Sequence, residues 1–257
     1  MAAVNPAQAD PIMMTFSVAI DVLYEDDDLL AINKSSGILV IPGRWEKEGS
    51  LSEELNRRYG KIYVVHRLDR DTSGVVLFAK SADAHRKLSR AFEKREIRKI
   101  YYGLTHGRLK RDQGVISKPI APCRDHPGKV IVDRRSGKLS ETEIQVLERW
   151  GDYSWIEIHP LTGRTHQIRL HLASIGFPLV CDVAYGLLND EIHLSHLKKR
   201  RYWPKVEAEK PLLSRLALHA ARVEFIHPVS QEKLVIESPL PKDLKAVTTQ
   251  FKKYFRE

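Results

Sequence analysis

Two arginines, two aspartates and a histidine lie within one stretch of nine residues, His66-Arg67-Leu68-Asp69-Arg70-Asp71-Thr72-Ser73-Gly74. Residues 62–65 before it and 75–79 after it are apolar, with the β-branched and aromatic content typical of strands in a half-buried sheet. A connection between core strands rarely holds this many charged groups unless they are paired or used. The stretch is therefore either a solvated hairpin loop or the polar part of a functional site.

The composition of the chain favours a globular fold and a polyanionic partner. The 257 residues are 42% hydrophobic and long enough to bury a sizeable core. Lys and Arg number 42 against 33 Asp and Glu, which gives a net charge of +9. Such an excess favours phosphate contacts, although many basic proteins bind no nucleic acid.

Cysteine usage and hydropathy predict a cytoplasmic protein. Cys123 and Cys181 lie too far apart for a CxxC metal site and form no disulfide framework, which fits a reducing compartment. No apolar run approaches the roughly 18 residues that span a membrane. The first residues lack the pattern of a signal peptide. We expect a loose tail over residues 1–15 and one domain over 16–257.

Strands and helices alternate along the chain. Residues 18–23 and 29–33 predict a hairpin, and residues 34–44 predict loop and strand interrupted by Gly and Pro. Ser50 and Glu53 form a capping box that opens a helix, which Gly60 ends. Further strands are expected over 100–104, 141–147, 153–158, 216–220, 223–226 and 234–236, with a C-terminal amphipathic helix at 244–255.

A second helix is expected to begin at Ser81 and to present a strongly basic surface. Its apolar face is formed by Ala84, Leu88, Ala91 and Phe92. The surface is either a solvated helix face or a phosphate-binding one. Its basic residues through position 99 are Arg86, Lys87, Arg90, Lys94, Arg95, Arg98 and Lys99.

Residues 162–169, Thr-Gly-Arg-Thr-His-Gln-Ile-Arg, form a second dense polar stretch that runs directly into a helix. Thr165 is the expected N-cap. The turn before it is a plausible anion site, with Arg164 as a phosphate contact. Arg169 is placed to reach inward. His166 and His171 share no helix face, so we expect no zinc.

A basic insert is expected over residues 187–215. It concentrates charge beside Tyr202 and Trp203. These rings could stack on bases of single-stranded RNA, or Trp203 could simply anchor a surface helix.

The two polar stretches suggest a buried ion pair. An inward carboxylate needs a cationic partner and an inward guanidinium an anionic one, which favours pairing of Asp69 with Arg169. Such a pair keeps Asp69 ionised, as a nucleophile or base requires. Asp71 stands two residues further on, and spacing alone does not separate the two aspartates.

Three segments resemble the motifs of the RluA-type pseudouridine synthases. Residues 66–74 resemble the HRLDxxTSG signature, residues 99–103 are similar to the K-x-Y-x-A/G strand, and residues 162–169 to the arginine motif. The resemblance implies an α+β pseudouridine synthase domain with a mixed, largely antiparallel sheet, flanking helices and a cleft across the sheet. Because the chain begins close to this core, we expect no N-terminal S4 domain.

The resemblance also implies roles for individual residues. Asp69 is the expected nucleophile, attacking either the sugar or the base, and Arg169 pairs with it. Tyr101 is expected to pack against uracil and to take the C5 proton, and Arg67 to fill the stack left by a flipped base. Further RNA contacts are expected from Arg164, His66 and Arg70.

The implied protein is a monomeric enzyme that isomerises uridines of structured ribosomal or transfer RNA without a metal or organic cofactor. Two other classes of function remain as alternatives to this enzyme. One is an RNA-binding or ribosome-assembly module that has lost catalysis. The other is a metal-dependent nuclease using Asp69 and Asp71, which the neighbouring Arg67 and Arg70 disfavour by repelling a divalent ion.

Overall fold

The computed structural model describes residues 19–43, 49–188, 190–198 and 209–255. Its strands are β1 (Val22–Glu25), β2 (Leu29–Lys34), β3 (Tyr63–Val64), β4 (Ser73–Ala79), β5 (Arg98–His106), β6 (Gln113–Ser117), β7 (Ile120–Pro122), β8 (Val130–Val132), β9 (Glu141–Trp150), β10 (Tyr153–Pro160), β11 (Leu218–Ile226) and β12 (Lys233–Glu237). Its helices are α1 (Leu51–Tyr59), α2 (Ala82–Glu93), α3 (Gln167–Ser174), α4 (Leu194–Lys198) and α5 (Lys242–Tyr254).

Ten strands form one mixed sheet, of the kind that the family resemblance implies. Its order is β1-β2-β4-β11-β5-β10-β9-β6, with β12 paired to β11 and β3 paired to β4. The pairing of β4 with β11 is parallel, through His219 opposite Ser73 and Ala220 opposite Gly74. The other strand pairs in this sheet are antiparallel. The predicted α+β class is therefore confirmed.

Helices cover both faces of the sheet, which explains why the central strand β4 is buried along its whole length. All seven residues of β4 are buried. Val75 and Leu77 pack with Leu88 of α2 on one face. Val76 and Phe78 lie in the cluster that contains α1 on the other. In the second half of the sheet, α3 and α5 occupy opposite faces.

Gly74 allows the parallel pairing that joins the two halves of the sheet. Its φ is +116°, and a Cβ placed on it would stand 2.1 Å from the carbonyl oxygen of Ala220. No side chain fits there, because β4 and β11 approach too closely. The last residue of the quoted stretch is therefore fixed by the fold.

Two helix starts and the two free cysteines are as predicted. Ser50 and Glu53 form a complete capping box at α1. The Ser81 hydroxyl accepts a hydrogen bond from the backbone N–H of Ala84 at α2. Cys123 and Cys181 are unbonded.

Three local predictions were wrong. Within the predicted loop and strand over 34–44, residues 35–43 form no strand, because the carbonyls of Leu39 and Val40 instead accept hydrogen bonds from the first turn of α1. The basic helix ends at Glu93, and Arg98 and Lys99 belong to β5. The N-cap of α3 is His166 rather than Thr165.

Some expectations lie outside the described residues. These are the loose tail over 1–15 and the charged aromatic part of the insert over 199–203. In the described part of the chain, no helix is long and apolar enough to cross a membrane.

Candidate active site

The two polar stretches meet at one cleft of about 900 Å³. The turn before β4 contributes Asp69, and the segment leading into α3 contributes Arg164 through Arg169. The beginning of β5 and the end of α2 form the remaining sides with Lys99, Tyr101 and Phe92, among others. Segments that are about 100 residues apart in the sequence thus form one concave surface.

A tight turn and a neighbouring loop fix the backbone of Asp69. The carbonyl of Asp69 accepts a hydrogen bond from the N–H of Thr72, at 3.2 Å. The buried ammonium of Lys34 donates to the carbonyl of Arg70 at 2.8 Å, and also to those of Ser35 and Ile38. Because these contacts hold the next residue, the Asp69 side chain has little freedom to leave the cleft.

Asp69 and Arg169 lie together, as expected, but Arg169 has a second carboxylate partner. Arg169 Nη1 lies 3.6 Å from Asp69 Oδ2. Its Nε and Nη2 donate to the two carboxylate oxygens of Asp182, at 2.8 and 2.7 Å. The Asp182 side chain is fully buried, whereas Asp69 is 20% exposed to the cleft. Arg169 therefore joins one structural and one accessible carboxylate.

Asp182 was not predicted from the sequence. Its Oδ1 also accepts hydrogen bonds from the N–H groups of Ala184 and Tyr185, so a turn fixes the carboxylate. Burial alone would lower the pKa of Arg169, but Asp182 and Asp69 together raise it. The sequence contains an indication that Asp182 is buried, since it directly follows the apolar residues Leu179, Val180 and Cys181.

His166 stands on the other side of Asp69. Its Nε2 lies 3.9 Å from Asp69 Oδ2, and its Nδ1 lies 3.0 Å from the hydroxyl of Tyr185. Its φ of +50° is uncommon outside glycine, as is often seen at functional sites. Burial lowers the pKa of His166 although Asp69 partly opposes the effect. The imidazole is therefore neutral near pH 7.

Tyr101 lines the cleft from β5 and packs against the apolar clusters that contain Leu68 and Leu218. Burial and the charge of Asp69 raise the pKa of its phenol. Tyr101 is therefore neutral at physiological pH. Tyr102 belongs to the cluster on the opposite face of the sheet, with Trp155.

The four residues predicted to contact RNA have different surroundings in the structure. Arg67 and Arg164 are exposed on the cleft. Arg70 donates from Nε to the carbonyl of Gly37. His66 Nε2 accepts a hydrogen bond from the N–H of Leu77, and its ring packs on Phe92. His66 thus has a structural contact, and its binding to RNA stays a prediction.

The structure separates the two aspartates that spacing could not. Asp69 lines the cleft and Asp71 does not.

Burial, with the charge of Lys99, lowers the pKa of the nearby His66 to about 3, so this ring is neutral. Within the described ranges, no group of three or more His, Cys, Asp or Glu side chains is arranged to hold a metal ion.

This fold and this cleft are those of an RNA-modifying enzyme. Residues 28–174 match the family model described as RNA pseudouridylate synthase. The chain belongs to this family, whose members are isomerases acting on RNA. The resemblance identified from the three motifs is therefore confirmed.

Several relatives are similar over most of the chain. The uncharacterized RNA pseudouridine synthase YhcT of Bacillus subtilis is 36% identical, over 88% of this chain and 70% of its own. The ribosomal large subunit pseudouridine synthase D of Buchnera aphidicola is 34% identical, over 95% and 76%. Among solved structures, human RNA Pseudouridylate Synthase Domain Containing 1 superposes with a TM-score of 0.65 at 27% identity, over 87% and 84%.

Proposed function

We propose that this protein converts specific uridines of ribosomal RNA to pseudouridine, with Asp69 as the nucleophile. The observation that carries the proposal is the position of the Asp69 carboxylate, exposed in the cleft and 3.6 Å from the buried Arg169 guanidinium. A positively charged partner orients a carboxylate, as nucleophilic attack requires. The same geometry leaves one face of Asp69 open to a substrate.

The proposed reaction rearranges one nucleotide without adding or removing atoms. The bond between C1′ and N1 breaks, and a bond between C1′ and C5 forms. The proton on C5 leaves and N1 gains one. Asp69 starts the sequence by attacking C1′ of the ribose or C6 of the base, and it is released unchanged. These steps need no oxidant or reductant.

The target base has to leave its helix to reach Asp69, because a stacked uridine presents neither atom to a recessed carboxylate. We propose that Arg67, exposed beside Asp69, occupies the gap left by the flipped base. Tyr101 packs against the uracil ring. Its raised pKa favours this packing role over removal of the C5 proton.

Ribosomal RNA is the preferred substrate because the names of similar proteins include ribosomal large subunit pseudouridine synthases C and D. Transfer RNA is the second choice. The net charge of +9 and the exposed Arg67 and Arg164 suit a polyanion. We further propose that the protein acts as a cytoplasmic monomer.

The test is a pseudouridine map of total RNA from cells with and without the gene, read by carbodiimide treatment and primer extension. We expect one or more positions to disappear in the deletion strain. Wild-type protein should restore them, and an Asp69→Asn variant expressed at the same level should not. An unchanged map would instead favour an RNA-binding or ribosome-assembly module without catalytic activity.

A further inference from the structure

Lys99 is a recessed cation in the cleft that the reaction above leaves without a role. It lies at the start of β5, and its side chain is partly buried. Its Nζ stands 3.8 Å from the point where a Cβ on Gly163 would be, in the turn before α3. The ammonium thus lies between the two polar stretches.

Other recessed cations of this protein have partners. Lys34 donates to three backbone carbonyls. Arg169 is held by Asp182 and Asp69, and Arg215 by both oxygens of Asp243. The Lys99 ammonium, in contrast, forms no hydrogen bond or ion pair with any residue in the described part of the chain.

An unpaired ammonium in a recessed position destabilises a fold, since its lost hydration is not replaced. Consistent with this, burial lowers the pKa of Lys99. Natural proteins retain such local conflicts mainly at functional sites. Lys99 therefore has the properties of a group whose anionic partner arrives with the substrate.

We propose that Lys99 binds a backbone phosphate of the target nucleotide, which anchors the flipped uridine over Asp69. This inference rests on the proposed function. Lys99 and Tyr101 are two residues apart on one strand, so both side chains face the cleft, roughly 7 Å apart along β5. Tyr101 packs against the base while Lys99 reaches the phosphate of the same nucleotide.

A phosphate fits this position better than a neutral group of the base. A uracil carbonyl offers only a dipole, whereas a phosphate supplies a full negative charge and a charge-assisted hydrogen bond. Lysine also suits a phosphate as a point charge, without the fixed geometry that arginine imposes. Arg98, the first residue of β5, and Arg95, just before that strand, also line the cleft and extend its positive surface.

The first experiment compares the binding of uridine, uridine 5′-monophosphate and uridine 3′-monophosphate by ligand-observed NMR. We expect wild-type protein to bind at least one monophosphate about 10-fold more tightly than uridine. Lys99→Met should abolish this preference and Lys99→Arg should keep most of it. Lys245→Met, which removes an exposed charge on α5, should match wild type. An equal preference in Lys99→Met, or none in wild type, would overturn the inference.

The second experiment measures thermal unfolding without ligand. If Lys99 is unpaired, Lys99→Met should raise the midpoint by about 2 °C or more. A lower midpoint would show that Lys99 supports the fold, which contradicts the proposal. Neither experiment requires turnover, so a protein that prefers the monophosphates but forms no pseudouridine would refute the proposed function and leave the role of Lys99 intact.

Discussion

Arg169 donates two hydrogen bonds to Asp182, at 2.8 and 2.7 Å, and approaches Asp69 to 3.6 Å with its remaining nitrogen. The guanidinium of Arg169 is therefore bound more closely by Asp182 than by Asp69. Asp182 accepts both of these hydrogen bonds, whereas Asp69 lies at a longer distance, so Asp69 is oriented without being tightly bound. A carboxylate held in this way remains available to a substrate.

Asp182→Asn should therefore impair both stability and catalysis. The substitution leaves the guanidinium with a weaker partner, so Asp69 should move into a closer pair with Arg169. We expect a loss of about 3–5 kcal/mol in the free energy of unfolding, as for other buried pairs. The kcat of any pseudouridine formation should fall by about 100-fold or more, which corresponds to roughly 3 kcal/mol.

Asp112→Asn is a matched control for that change. Asp112 also pairs with an arginine, Arg149, at 2.7 Å, but its side chain is 82% exposed. We expect it to cost less than about 1 kcal/mol, since solvent screens the pair. Denaturant unfolding of both variants checks the contrast, and equal losses would argue against Asp182 as the residue that positions Arg169.

Tyr101→Phe and Tyr101→Ala separate ring packing from proton transfer. Because burial and Asp69 raise the pKa of the phenol, the hydroxyl is a poor proton acceptor at neutral pH. We expect Tyr101→Phe to keep kcat within about 10-fold of wild type and Tyr101→Ala to lose about 100-fold or more. Single-turnover kinetics decide between the roles, and equally severe losses would assign chemistry to the hydroxyl.

Gly74→Ala should be severely destabilising. The new Cβ would stand 2.1 Å from the Ala220 carbonyl oxygen at a φ of +116°, which combines a steric clash with backbone strain. We expect a cost of about 3 kcal/mol or more. Gly114→Ala in β6 meets nothing within 4 Å and should change little. Thermal unfolding compares the two, and a stable Gly74→Ala protein would contradict the close approach of β4 and β11.

His219 predicts a pH dependence of stability. The ring is buried, with Nδ1 against the Ser73 hydroxyl and Nε2 against the Ser238 carbonyl, and burial lowers its pKa to about 4. Between that value and about 6.5 the unfolded chain binds the extra proton, so stability falls as the pH falls through this range. The contribution is about 3 kcal/mol and is fully present above pH ~6.5.

The measurement is denaturant unfolding of wild type and His219→Asn between pH 7 and 4. The difference between the two proteins in the free energy of unfolding should become smaller as the pH falls. A constant difference would show that His219 has an ordinary pKa in the folded state.

Local sequence signals predicted the features of the fold that depend on neighbouring residues. Ser50 and Ser81 cap their helices because the hydrogen bonds involved span only three residues. The turn around Gly151 joins two antiparallel strands for the same reason. The need of an inward charge for an opposite one, together with the family resemblance, also indicated that residues 66–74 and 162–169 belong to one site.

The predictions that failed depend on contacts between distant residues. Residues 38–41 have the composition of a strand. Their carbonyls instead accept hydrogen bonds from the first turn of α1, a contact that cannot be predicted from the local sequence. Asp182 was not predicted, although it directly follows an apolar run, because pairing Arg169 with Asp69 already met the need for an opposite charge. The unpaired state of Lys99 becomes visible only when its surroundings are known.

The measurement that tests the central claim most directly is tritium release from [5-³H]uridine-labelled large-subunit ribosomal RNA, transcribed without modifications. Each conversion of a uridine frees the hydrogen on C5, so the amount of tritium released measures the number of turnovers. Wild type and Asp71→Asn should release tritium at similar rates, whereas Asp69→Asn should release none above background. Turnover by Asp69→Asn at the wild-type rate, or its selective loss in Asp71→Asn, would contradict the assignment of Asp69 as the nucleophile.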